Sequence, residues 1–81
     1  MISSAIEQHA KARSVRIEDE NLIVDLSDGR TISAPLVWFP RLTSANKQQL
    51  MNWKILGNGE GIHWPDLDED LSIAGLLAGT H

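Results

Sequence analysis

Two prolines, Pro35 and Pro40, bracket the apolar quartet Leu36-Val37-Trp38-Phe39, and no other feature constrains the fold as much. Proline has no N–H to give a sheet ladder and clashes inside a helix, so neither element runs unbroken through this block. Four large apolar side chains nevertheless need cover. The block therefore reads as a structured crossover, with one helical turn at most, that plugs a core. It divides a β-rich first half from a mixed second half.

The first half carries strand signals. Residues 15–17 alternate apolar with polar, as a half-buried strand does. Glu18-Asp19-Glu20-Asn21 is a turn, since Asp and Asn tolerate left-handed backbone angles. Residues 22–26 return with Leu22, Val24 and Leu26 on one face. Asp28-Gly29 marks a second hairpin, leading to a third strand over residues 30–34. Upstream, residues 3–12 read as a short helix with Ser3 or Ser4 as its cap and a thin face of Ala5, Ile6, His9 and Ala10.

Beyond the crossover, Thr43 or Ser44 is placed to cap a helix reaching Met51, with Leu42, Ala45, Gln49, Leu50 and Trp53 as its inward stripe. Residues 53–56 suit a short strand. Gly57-Asn58-Gly59-Glu60-Gly61 follows as a glycine-rich turn, and residues 62–64 as another strand. The acidic run after Pro65 leads into a last helix, capped by Asp70 or Ser72 and stopped by Gly79. Leu71, Ala74, Leu77 and Ala78 would mark its inward face. The expected fold is thus α+β: a three-stranded antiparallel meander extended by a short C-terminal hairpin strand, with two to three short helices. The division is residues 1–13 as an N-terminal helix and 14–81 as one domain.

Composition narrows the function. A chain of 81 residues supports one domain with a modest core, for which association with a protein partner or a second copy is a natural supplement. It has no cysteine, which removes disulfides, thiolate metal sites and cysteine nucleophiles. No apolar run approaches the roughly 20 residues that span a bilayer, and the first residues lack the apolar centre of a secretory signal. A cytoplasmic protein without membrane association is the default expectation. The net charge is −4, with acids gathered at Asp66, Asp68, Glu69 and Asp70. Cations are scattered, and only Lys11, Arg13 and Arg16 come near to clustering, too few for strong counterion release from nucleic acid.

The motifs favour binding over catalysis. The glycine run lacks the Gly-Lys-Ser/Thr of a phosphate loop, and a strand follows it where a dinucleotide fingerprint needs a helix. Counted from Asp66, a calcium loop needs glycine at the sixth position and glutamate at the twelfth; Leu71 and Leu77 stand there. The acids then serve the following helix dipole, pair with arginines, or face a basic partner. His63 with Asp66 and Asp68 has the donor types of a hard metal site or an acid–base pair, although strand alternation turns it away from Ile62 and Trp64. Three of the four aromatic residues are tryptophan, and Trp38 beside Phe39 is the best candidate for an exposed anchor.

These residues resemble a known group. Asp28-Gly29-Arg30, Pro35-Leu36-Val37-Trp38-Phe39-Pro40-Arg41-Leu42 and the specific run Trp64-Pro65-Asp66-Leu67-Asp68-Glu69-Asp70-Leu71-Ser72 look like the domain-of-unknown-function 2442 family, over about residues 14–79. The resemblance implies a small bacterial α+β domain without an assigned reaction, similar to antitoxin-like partners of small toxins. It transfers no catalytic residue.

The expectation is a non-catalytic protein-binding module that needs no cofactor, antitoxin-like towards a small toxin. Trp38, Phe39 and Arg41 would anchor the partner, and His63, Asp66, Asp68, Glu69 and Asp70 would present charge to it. Two other readings stand beside it. One is a small metal-binding or metal-dependent hydrolytic domain built on His63 and the acids at 66–70. The other is a weak DNA-binding regulator using Lys11, Arg13 and Arg16.

Overall fold

Alternating burial organises the first half of the chain. The computed structural model describes residues 11–79. Strands β1 (Ala12–Glu18), β2 (Asn21–Leu26) and β3 (Thr31–Pro35) form an antiparallel sheet in that order. Leu22, Val24 and Leu26 of β2 face inward and are almost fully buried. Val15 lies opposite Val24 and Ile17 opposite Leu22, while Ala34 and Ile32 flank the same two residues from β3. Each strand thus contributes its apolar parity to one face. On the other face the Asp25 carboxylate accepts bonds from Ser14 Oγ (3.0 Å), Thr31 Oγ1 (3.1 Å) and the Arg16 guanidinium, tying all three strands together.

Both hairpins use left-handed backbone. Asp19 and Glu20 have φ of 50° and 64°, the paired positive angles whose twist matches the flanking strands. Gly29 takes φ 96° in the second turn, where Asp28 Oδ1 accepts the Arg30 N–H at 3.0 Å.

The proline-flanked block forms a 3₁₀ turn over Leu36–Trp38, then α1 (Pro40–Thr43) with Pro40 in its first turn. Residues three apart eclipse in a 3₁₀ turn, so Leu36 and Phe39 both point into the core. Val37 and Trp38 are left 67% and 46% exposed. Only half of the quartet plugs the core.

The helix expected from Thr43 or Ser44 to Met51 is divided. Ser44 ends α1, and α2 (Lys47–Met51) begins anew at Asn46. Asn46 Oδ1 accepts the Gln49 N–H at 2.8 Å and Gln49 Oε1 accepts the Asn46 N–H at 3.0 Å, a reciprocal cap. Gln49 is therefore a capping residue, while Leu42 and Leu50 supply the burial expected of the stripe.

Strands β4 (Lys54–Leu56), β5 (Gly61–Trp64) and β6 (Glu69–Ser72) make a second antiparallel sheet. The acidic run enters β6 instead of a helix cap. Glu69, Asp70 and Leu71 lie opposite Trp64, His63 and Ile62. Helix α3 (Ile73–Ala78) starts only after this strand, with no acid in its first turn. Of the two expected caps Ser72 is the one used, its Oγ accepting the Gly75 N–H at 3.0 Å; Gly79, at φ 82°, ends the helix as expected. Because Leu71 belongs to β6, the helical phase begins later. Ile73 and Leu76 pack inward, while Ala74, Leu77 and Ala78 are exposed.

The two sheets share one core, with Val24, Leu22 and Leu26 on one side and Ile62, Trp64 and Ile73 on the other, and Leu42 buried with them. They also meet through the backbone, where the Ala12 N–H donates to the Gly59 carbonyl at 2.7 Å. The expected N-terminal helix lies outside the described residues through residue 10. Ala12 and Arg13 are strand residues, so the division after residue 13 falls inside β1. Among the described residues no helix is long and apolar enough to cross a membrane.

Two predictions follow from this architecture. Gly29 and Gly59 have the same strained φ (96° and 97°), but a Cβ at Gly29 meets nothing within 4 Å, whereas one at Gly59 would lie 2.7 Å from Lys11 Cβ. Gly29→Ala should cost about 1 kcal/mol from backbone strain, and Gly59→Ala at least about 1 kcal/mol more, compared by urea denaturation. The Asp25 carboxyl is held below its ordinary 3.8, first by the Ser14 hydroxyl, then by Thr31 and Arg16. A depressed carboxyl contributes stability above its unfolded value that is lost as pH falls through the folded value. Acid unfolding followed from pH 5 down to 2 should therefore be less steep in Asp25→Asn than in the parent.

Candidate functional site

The 3₁₀ turn that sends Leu36 and Phe39 inward sends Trp38 out, against β6. Trp38 and Pro40 form one wall of an open groove of about 560 Å³; Glu69, Asp70 and Ser72 of β6 form the other, with Leu76 of α3 at its end. Phe39 is 2% exposed and backs the groove from the core side. The proline block and the acidic run, separate in sequence, thus meet on one surface.

His63 and Asp70 face each other across β5 and β6, and His63 Nδ1 bonds Asp70 Oδ1. The side chains are 30% and 66% exposed, so the pair lies at the surface rather than in a cleft. His63 therefore associates with Asp70 and not with Asp66 and Asp68. Asp66 Oδ2 accepts a bond from Asn52 Nδ2 at 3.0 Å, at the far side of the β5–β6 turn. Among the described residues no three His, Asp or Glu side chains are grouped so as to hold a metal ion.

Arg41 has a contact that its sequence position did not suggest. From α1 its Nη1 reaches the carbonyls of Asp68 (2.6 Å) and Leu67 (3.4 Å). Asp68 sits at φ 51°, an unfavourable angle for a residue with a Cβ. The guanidinium fastens this turn to the segment that carries Trp38, which sets the spacing of the groove walls. Arg41 thereby acts as a scaffold contact as well as a surface cation. Val37 and Leu76 were not singled out as site residues in sequence, and Ser72 was read there as a helix cap. The i, i+3 pairing of Leu36 with Phe39 was the available signal that Val37 and Trp38 would face outward.

The site is thus a shallow apolar and acidic surface on a small α+β scaffold. The family model described as protein of unknown function, DUF2442, matches residues 12–81, and the chain belongs to that family. It is similar to a protein of unknown function from Rhodospirillum rubrum, solved by crystallography, with 39% identity, 90% of each chain covered and a TM-score of 0.79. It is also similar to an uncharacterized protein of Chromobacterium violaceum, solved by NMR, with 25% identity over 93% of this chain and 71% of that one, at a TM-score of 0.77. No curated protein matches the chain.

Arg41→Ala should loosen the β5–β6 turn without unfolding the protein. Loss of an exposed charge-assisted bond costs about 1 kcal/mol. Amide exchange at residues 67–69 should accelerate while β2 stays protected, and Arg41→Lys should restore part of the protection.

Proposed function

We propose that this chain is a non-catalytic, cytoplasmic protein-binding module whose groove between Trp38 and β6 receives a small basic partner, as an antitoxin receives its toxin. The observation that carries the reading is the placement of the half-exposed Trp38 and the carboxylates Glu69 and Asp70 on one groove. Exposed tryptophans beside apolar surface are the residues that dominate binding energy when a partner covers them. Carboxylates around such an anchor steer a cationic partner and fix its orientation. Val37, 67% exposed on the same turn, is a further apolar side chain at the surface next to Trp38. The antitoxin-like component rests on the family resemblance of the proline block and the acidic run, and the direction of charge on the net −4.

The experiment is co-expression with the product of the adjacent gene, followed by affinity measurement at several salt concentrations. Trp38→Ala should weaken the complex by about 2 kcal/mol, the scale of a hot-spot residue. Replacing Asp66, Asp68, Glu69 and Asp70 together by their amides should slow association at least tenfold at low salt, with circular dichroism unchanged. Undiminished binding by both variants would remove this groove from the interface.

A further inference from the structure

The groove beside Trp38 runs along the edge of a sheet. All four residues of β6, Glu69, Asp70, Leu71 and Ser72, line it. Successive side chains of a strand point to opposite faces, so a groove touching four in a row follows the strand's outer edge. β6 is the last strand of its sheet, and among the described residues no strand pairs with its outer side. The backbone contacts next to it fall beyond its two ends. Arg41 holds the carbonyls of Leu67 and Asp68, and the Ile73 N–H donates to the Glu60 carbonyl at 3.0 Å. Between them the strand presents backbone N–H and C=O groups to the groove, a template for a further strand. An extended peptide laid there gains main-chain hydrogen bonds, and the surroundings of its alternate side chains set its sequence.

The two faces of this edge specify the occupant. Leu71 is buried, so the face it shares with Glu69 is the core side, and Asp70 and Ser72 stand on the other. On the core side the groove is backed by Phe39 and Leu71 of the core and by Leu76 packed against it, with Trp38 at the rim. That side suits an apolar side chain. On the other side the Asp70 carboxylate is 66% exposed, and His63 engages its Oδ1 alone. Glu69, at the first strand position, enters no ion pair among the described residues. The lining holds these two acids and no lysine, arginine or histidine. An added strand sets alternate side chains on the two faces, so a cation on it meets Asp70 as a cross-strand pair. A second copy docked edge to edge would instead bring carboxylates together, which is destabilising. We propose that the outer edge of β6 is a strand-addition site for an extended segment of a partner protein in which lysine or arginine alternates with apolar residues, one of them packed against Trp38. The inference rests on the reading of this groove as a contact for a basic partner, and adds how the partner's backbone is held.

The test uses the full chain and a capped hexapeptide of alternating lysine and valine, with a peptide of the same composition in two blocks as control. In ¹H–¹⁵N titrations the alternating peptide should shift amides of residues 69–76 and of Trp38 and Phe39, and should slow exchange at the alternate β6 amides that face away from β5. The block peptide should bind at least fivefold more weakly. Trp38→Ala and Asp70→Asn should each weaken binding at least threefold, whereas Met51→Ala, on α2, should leave it unchanged. N-methylation isolates the backbone contribution. On a sheet edge only alternate peptide amides point at β6, so methylating either the lysine or the valine amides should abolish binding, and methylating the other set should leave it within about twofold. No shift at millimolar peptide, equal binding of the alternating and block peptides, or equal loss from the two methylated sets overturns the proposal. Strand addition falls alone when the two methylated sets behave alike while Trp38→Ala still weakens the co-expressed complex. The contact reading falls with it when Trp38→Ala leaves both the peptide and that complex unchanged.

Discussion

The indole of Trp64 joins the parts of this protein that have least reason to stay together. It is fully buried at the end of β5, and its Nε1 donates to the Leu50 carbonyl of α2 at 3.0 Å. Each sheet has only three strands, too few to hide an apolar face from water alone. The face becomes dry when the sheets and the short helices close on one another. Burying the largest side chain in the core supplies much of that closure, and its polar atom stays bonded within the core. The backbone contact of Ala12 with Gly59 adds a further tie between β1 and the β4–β5 turn, and the cap at Asn46 fixes where α2 begins.

The two surfaces described here differ in what makes them. The Trp38 groove arises because a 3₁₀ turn buries only the first and last members of the apolar quartet, and because Arg41 holds the β5–β6 turn near it. A second groove, lined by Val15, Arg16 and Ile17 of β1 and by Lys47, Leu50, Met51 and Trp53, arises because a three-stranded sheet has two edges and α2 stands off from one of them. The first carries the carboxylates of Glu69 and Asp70, whereas beside the second Arg16 is ion-paired with Glu18 and Asp25.

Much of the fold was legible along the chain. The parity of Leu22, Val24 and Leu26, the Asp28-Gly29 turn, the break at Pro35 and Pro40, and the stop at Gly79 are local signals, and each appears in the structure where it was read. The acidic stretch was misread as a helix cap because carboxylates before a helix are common, whereas its pairing with β5 depends on residues across a turn. The division of the central helix depended on Asn46 competing for the Gln49 amide, a contest that composition alone does not decide. Of the candidate site, Trp38, Glu69 and Asp70 were singled out and are brought together. Phe39 was expected to share in anchoring a partner; it is turned inward and backs the groove, because its spacing from Leu36 aligns it with the core.

By itself, then, the sequence determined the class of fold, the meander and its inward parity, and membership of a family, since these follow from periodicity, turn chemistry and motif over short distances. Tertiary structure alone decided that His63 pairs with Asp70, that Arg41 spans to the Asp68 carbonyl, and that Trp38 faces the acidic strand. Those contacts join residues on different elements, and their distances exist only once the shared core has fixed how the sheets and helices lie against one another.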